Sequence, residues 1–161
     1  MPQCLICQNH LTGFTSASSS VIFHGTLNHL LLTDRLWLKR LTGEGDHPNR
    51  LGAILYEDRT DLARARIVED ERLINLIAKY DEAALRDLHN YKTTSGMPQS
   101  QVLGDILMHL FNHQTHHRGQ ACACLSILTG DEPPCLDLLA FQRVAQHEAL
   151  KNLLRGEDSR V

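Results

Sequence analysis

Four of the chain's ten histidines fall in the run His109-Leu110-Phe111-Asn112-His113-Gln114-Thr115-His116-His117. His113 and His117 stand four residues apart, so on a helix their side chains lie one above the other on the same face. That is the spacing by which one helix offers two imidazoles to a single transition-metal ion. At about 100° per residue, His117 falls within roughly 20° of Leu110 and His113 within about 60°, both inside the apolar stripe. On the same wheel His109 sits at the edge, near 100°, and His116 on the flank, at about 120°, directed to water or to a partner subunit. The competing reading is a pair of core imidazoles satisfied by hydrogen bonds. Two inward rings at this spacing weigh against it, because each brings nitrogens that a dry core must satisfy.

A third ligand must come from another helix. His29, in Leu27-Asn28-His29-Leu30-Leu31, is the preferred candidate. His24 is the rival, about 140° away on the wheel, so at most one of the two faces the site. Asp34 is open as a carboxylate ligand or as an acceptor for an imidazole N–H.

The elements that must position these residues read as mainly helical. Ser18-Ser19-Ser20 caps a first helix from about Val21 to Leu41, with Leu27, Leu30, Leu31, Trp37, Leu38 and Leu41 apolar and Gly43 as its stop. After a loop rich in Gly, Asp and Pro, a second helix spans about Asp58 to Lys79, with Leu62, Ala65, Val68, Leu73, Leu76 and Ile77 at helical period. Residues 81–99 are mixed, and Thr94-Ser95-Gly96-Met97-Pro98 signals a turn between two short extended pieces. The histidine helix runs from about Ser100 to Thr129 and ends at Gly130. A last helix, about Leu136 to Leu154, follows Pro133-Pro134, and residues 156–161 form a fraying charged tail.

Composition excludes several classes of function. At 161 residues the chain is one domain able to bury a core without staples. A net charge of −3 and no basic block disfavour nucleic acid. No apolar run reaches the roughly 18 residues of a membrane span. The start, Met1-Pro2-Gln3-Cys4-Leu5-Ile6-Cys7-Gln8, lacks the order of a signal peptide. Five scattered cysteines do not suggest a disulfide framework, so a reducing cytoplasm is expected. Cys122, Cys124 and Cys135 read as small core residues. Cys124 lies roughly 10 Å along the axis from His117, too far to share its ion.

The segments Gly25-Thr26-Leu27-Asn28-His29-Leu30-Leu31-Leu32-Thr33-Asp34-Arg35-Leu36-Trp37 and His109 through His117-Arg118-Gly119-Gln120 resemble the two signature stretches of the DinB family. Tyr91-Lys92-Thr93-Thr94-Ser95-Gly96 and Pro133-Pro134-Cys135-Leu136-Asp137-Leu138 resemble it too, and the likeness covers about residues 20 to 145. The resemblance implies an all-α, DinB-like four-helix bundle related to YfiT-like metal-dependent hydrolases and to metal-dependent thiol transferases. It further implies three histidine ligands, by position His29, His113 and His117, a divalent ion, most often Zn or Ni, and commonly a homodimer. The departure lies at the front. Family members begin with a further long helix, whereas residues 1–20 form an atypical segment carrying Cys4, Cys7 and His10, so the first bundle helix is truncated or replaced ahead of a bundle at 21–155. The Cys4–Cys7–His10 cluster would be a second metal or redox site. An absent helix would leave an apolar face open to dimerisation.

Three neutral ligands leave an ion nearly its full charge and an open position, suited to activating water or holding a thiol as thiolate. Gln114 stands where a zincin carries its glutamate, so peptidase chemistry of that type is disfavoured. Asp34 is the nearest carboxylate base, and Arg118 and Gln120 are candidates for steering a small-molecule substrate. Two classes of function follow: a hydrolase or thiol S-transferase, or a non-catalytic metal-binding stress-response protein whose shell a fourth ligand such as His109 would close.

Overall fold

The structure, a computed structural model, describes residues 16–46 and 50–155. Four helices dominate it: α1 (Ser16–Thr42), α2 (Arg59–Ile77), α3 (Leu103–Thr129) and α4 (Leu138–Arg155). The chain has the all-α architecture expected of it, with one short hairpin added. Cys4, Cys7 and His10, most of the 1–20 segment and the 156–161 tail lie outside the described residues.

The described residues up to Asp131 form one unit, and within it α1 is the shared partner of α2 and α3. Its Leu31, Leu32 and Leu38 are fully or almost fully buried. Trp37, Leu38 and Leu41 meet Leu73 and Leu76 of α2 and Leu103, Ile106, Leu107 and Leu110 of α3 in the main core. A smaller cluster joins Leu31 to Leu62 and Ala65. Contacts climb both helices together, from Leu31–Leu62 through Asp34–Arg66 to Arg35–Glu69, so α1 and α2 run parallel. Parallel neighbours need a connection as long as the helix itself. The stretch after Gly43 supplies it, returning along α1 until Leu55 and Tyr56 reach Asn28. Gly43 closes α1 in the left-handed region at φ 78°, its N–H bonded to Lys39 O.

Several boundaries differ from the sequence expectation. The serine triplet lies inside α1 rather than capping it, and Ser19 is wholly buried; packing outweighs the local preference of serine for a cap. Asp58 caps α2 from outside, accepting from the N–H groups of Thr60 and Asp61. On α2 the buried position is Glu69, not Val68, which is 54% exposed. Glu69 belongs to the true stripe of Leu62, Ala65, Leu73 and Leu76, where Arg35 (3.0 Å) and Arg72 (2.7 Å) neutralise it. The two extended pieces are real: β1 (Leu88–Lys92) pairs antiparallel with β2 (Pro98–Val102), register Leu88↔Val102. Gly96, at φ 83°, makes the turn. Ser100 to Val102 therefore spend their backbone groups on β1, and α3 starts at Leu103 instead of Ser100. Gly130 (φ 75°) ends α3 as expected. Cys124 is a buried core residue and Cys122 half-buried, but Cys135 is exposed, not core.

The described residues from Glu132 onward form a second unit. In it Asp137 precedes α4 and accepts from the Ala140 N–H at 2.9 Å. Among the described residues, no helix is long and apolar enough to cross a membrane.

Candidate metal centre

Contacts between α1 and α3 run in opposite chain directions: Trp37 stacks on His109 at 5.5 Å, while His29 meets His113 and His117 further along α3. The ring centroids of His29–His113, His29–His117 and His113–His117 are 5.3, 4.6 and 4.4 Å apart. One ligand nitrogen from each ring lies within 4.8 Å of the others, and among the described residues no carboxylate or thiol joins the group. A tetrahedral ion bound at about 2.0–2.1 Å would space its nitrogens about 3.4 Å apart, so modest side-chain rotation closes the cluster on one ion. All three histidines are half-buried. His117 is thus less deep than its place on the stripe of the fully enclosed Leu110 suggests.

The ring nitrogens not turned to the centre are tied in two of the three cases. His29 Nδ1 donates to Leu51 O at 3.1 Å, and His117 Nδ1 donates to Gln120 Oε1 at 2.7 Å. Each tie leaves the Nε2 lone pair free, which is how second partners prepare imidazoles for a metal. His113 differs: its Nδ1 is buried with no hydrogen-bond partner. Burial, followed by the neighbouring His117, His29, His109 and His116, drives its pKa down from 6.5 to about 4. His117 is also lowered, mainly by burial, with the Gln120 bond opposing. With the pKa values of both His113 and His117 lowered, that pair of rings suits a cation better than protons.

The other candidates fall elsewhere. His24 Nε2 lies 2.9 Å from Tyr56 O, on the side of α1 facing the return loop, and is not in the centre. Asp34 is fully buried, and its oxygens accept from Arg66 (2.5 Å) and Gln114 (2.8 Å) rather than from an imidazole. Burial raises its pKa, against the pull of Arg66 and Gln114. Through these bonds Asp34 joins α1 to α2 and α3, and it accepts from no imidazole. Arg118 lines a separate cavity of about 260 Å³ with Asp34, Arg66, Asp70 and Gln114. Gln120 is tied to His117, and its Nε2 donates to His116 at 3.0 Å. His109 is exposed, its ring 6.1 Å from that of His113, outside the ligand group.

Sequence reasoning overlooked Asn28. Wholly buried, it donates to Tyr56 O (3.2 Å) and accepts from the N–H groups of Leu55 (2.8 Å) and Tyr56 (3.0 Å). It clamps the return loop that carries the Leu51 carbonyl to His29. An amide amid leucines was the available signal; a backbone carbonyl such as that of Leu51 has none.

Fold and site together define an all-helical protein with a three-imidazole centre built between two of its helices. The chain belongs to the DinB family, whose model matches residues 10–151. No curated protein and no solved structure shows significant similarity to it.

Proposed function

We propose that the protein is a divalent-metal-dependent enzyme of the DinB type, a hydrolase or thiol S-transferase, with His29, His113 and His117 holding a Zn or Ni ion. The observation that carries this reading is the convergence of His29, His113 and His117, one ring nitrogen from each lying within 4.8 Å of the others. When bound, such an ion supplies Lewis acidity that eases ionisation of a water or of a low-molecular-weight thiol. The protein's part is to keep His113 unprotonated and to fix the His29 and His117 tautomers through Leu51 O and Gln120, and among the described residues no fourth ligand joins the centre. The non-catalytic alternative needs a closed shell, and the distance and exposure of His109 count against it. In keeping with the family resemblance and the scattered cysteines, we read the protein as a cytoplasmic homodimer.

Elemental analysis of the purified protein is the test. About one equivalent of Zn or Ni, lost in the His113→Ala/His117→Ala double variant, is the expected result and opens screening of thiol-transfer and hydrolytic substrates. An absence of bound ion after reconstitution would end the enzyme reading.

A further inference from the structure

At the far end of α1 from His29, a cavity of about 320 Å³ opens between the helix and the hairpin, lined by Lys39, Arg40, Tyr91, Lys92, Thr93 and Thr94 among others. Three of these side chains are cations. Among the described residues, neither Arg40 nor Lys92 forms an ion pair, and Lys39 has only the exposed Asp46 at 3.8 Å. Arg40 is held in place by rings instead of charges: its guanidinium carbon lies 4.6 Å from the Trp37 ring and 5.3 Å from that of Tyr91. Its Nε is buried without a hydrogen-bond partner, and burial lowers its pKa with no carboxylate to oppose the shift. A desolvated guanidinium, fixed by aromatic faces yet unpaired, is costly in isolation. Elsewhere in the same unit the half-buried arginines are paired, Arg35 with Glu69 and Arg66 with Asp34. The exception at Arg40 therefore points to an anion supplied from outside.

We propose that this cavity binds the phosphate of a small phosphate monoester. A dianion matches a cluster of unpaired cations better than a single carboxylate does, and Arg with Lys and hydroxyl donors is the usual phosphate-binding set. Thr94 adds a hydroxyl to the lining, while that of Thr93 is tied to Ser95 and to the Met97 N–H in the hairpin turn. The volume sits at the lower end of the range for small-molecule pockets and leaves room beyond the phosphate for an organic body against Tyr91. The site stands apart from the histidine centre, and neither reading depends on the other.

Titration of the whole protein with inorganic phosphate and with phenyl phosphate, by calorimetry and by amide shifts at Thr93 and Thr94, tests it. Saturable binding is expected, phenyl phosphate at least about 5-fold tighter than phosphate, since extra burial worth about 1 kcal/mol suffices for that. Lys92→Gln, at an exposed strand end, leaves the fold intact and weakens binding at least about 5-fold, comparable to losing one charge-assisted hydrogen bond. Arg40→Gln weakens it further, while His113→Ala leaves it unchanged. The proposal fails if binding is not saturable, if Lys92→Gln binds as wild type does, or if His113→Ala abolishes binding, which would place the anion at the histidines. Equal affinity for both probes would replace the monoester with free phosphate.

Discussion

Gln120 and His113 show how much of the centre depends on single atoms. Gln120 accepts from His117 and donates to His116, so its amide is oriented from both sides. Gln120→Ala should lower metal affinity about 10- to 100-fold, as losing a partner behind a metal-binding imidazole does, while stoichiometry at saturating metal stays near one; a chelator-competition titration measures it. His113 leads to a pH prediction. Its folded pKa of about 4 lies below the ordinary 6.5, so protons favour the unfolded chain. The stability linked to this histidine is therefore full above pH 6.5 and lost as pH falls toward 4. Thermal melts of metal-free protein should show that decline, and His113→Phe should flatten it.

Among the elements, the return loop and the hairpin decide most. The loop approaches α1 because Asn28 satisfies three backbone groups on Leu55 and Tyr56. Asn28→Ala would leave the half-buried N–H groups of Leu55 and Tyr56 without their acceptor, while Tyr56 O keeps His24, at about 1–3 kcal/mol, measurable by denaturant unfolding. The same variant should bind metal more weakly even where it is folded, because the Leu51 carbonyl behind His29 rides on that loop. The i, i+4 pair on α3 was legible because helical spacing alone puts His113 beside His117. The start of α3 was not: strand pairing of Ser100 to Val102 with residues 10 to 14 positions earlier captured them first.

Across the whole molecule, buried ion pairs stitch α1 to α2 where a simple bundle would use apolar side chains. Asp34–Arg66 and Glu69 with Arg35 and Arg72 sit among leucines. Removing one partner strands the other, so Asp34→Ala should destabilise by about 3–5 kcal/mol. Metal content per folded molecule should not change, since Asp34 bonds no imidazole; loss of metal from the folded variant would restore Asp34 as part of the centre. Bound ion should also stabilise the folded chain, by about 2.7 kcal/mol at a hundredfold excess over Kd, read as a melting shift absent from the His113→Ala/His117→Ala variant.

The sequence by itself determined what depends on neighbours along the chain: the helical class, the Gly43 and Gly130 stops, the hairpin turn at Gly96 and the stacked His113 and His117. Such features follow from backbone preference and periodicity, which act within a few residues. Only the tertiary structure brought His29 rather than His24 beside that pair, turned Asp34 toward Arg66, buried Glu69 and, among the described residues, left Arg40 without an ion pair. Those outcomes rest on how α1 packs against partners 30 to 90 residues away, and the periodicity of one helix states which of its faces is apolar without saying which charge or ring will meet it.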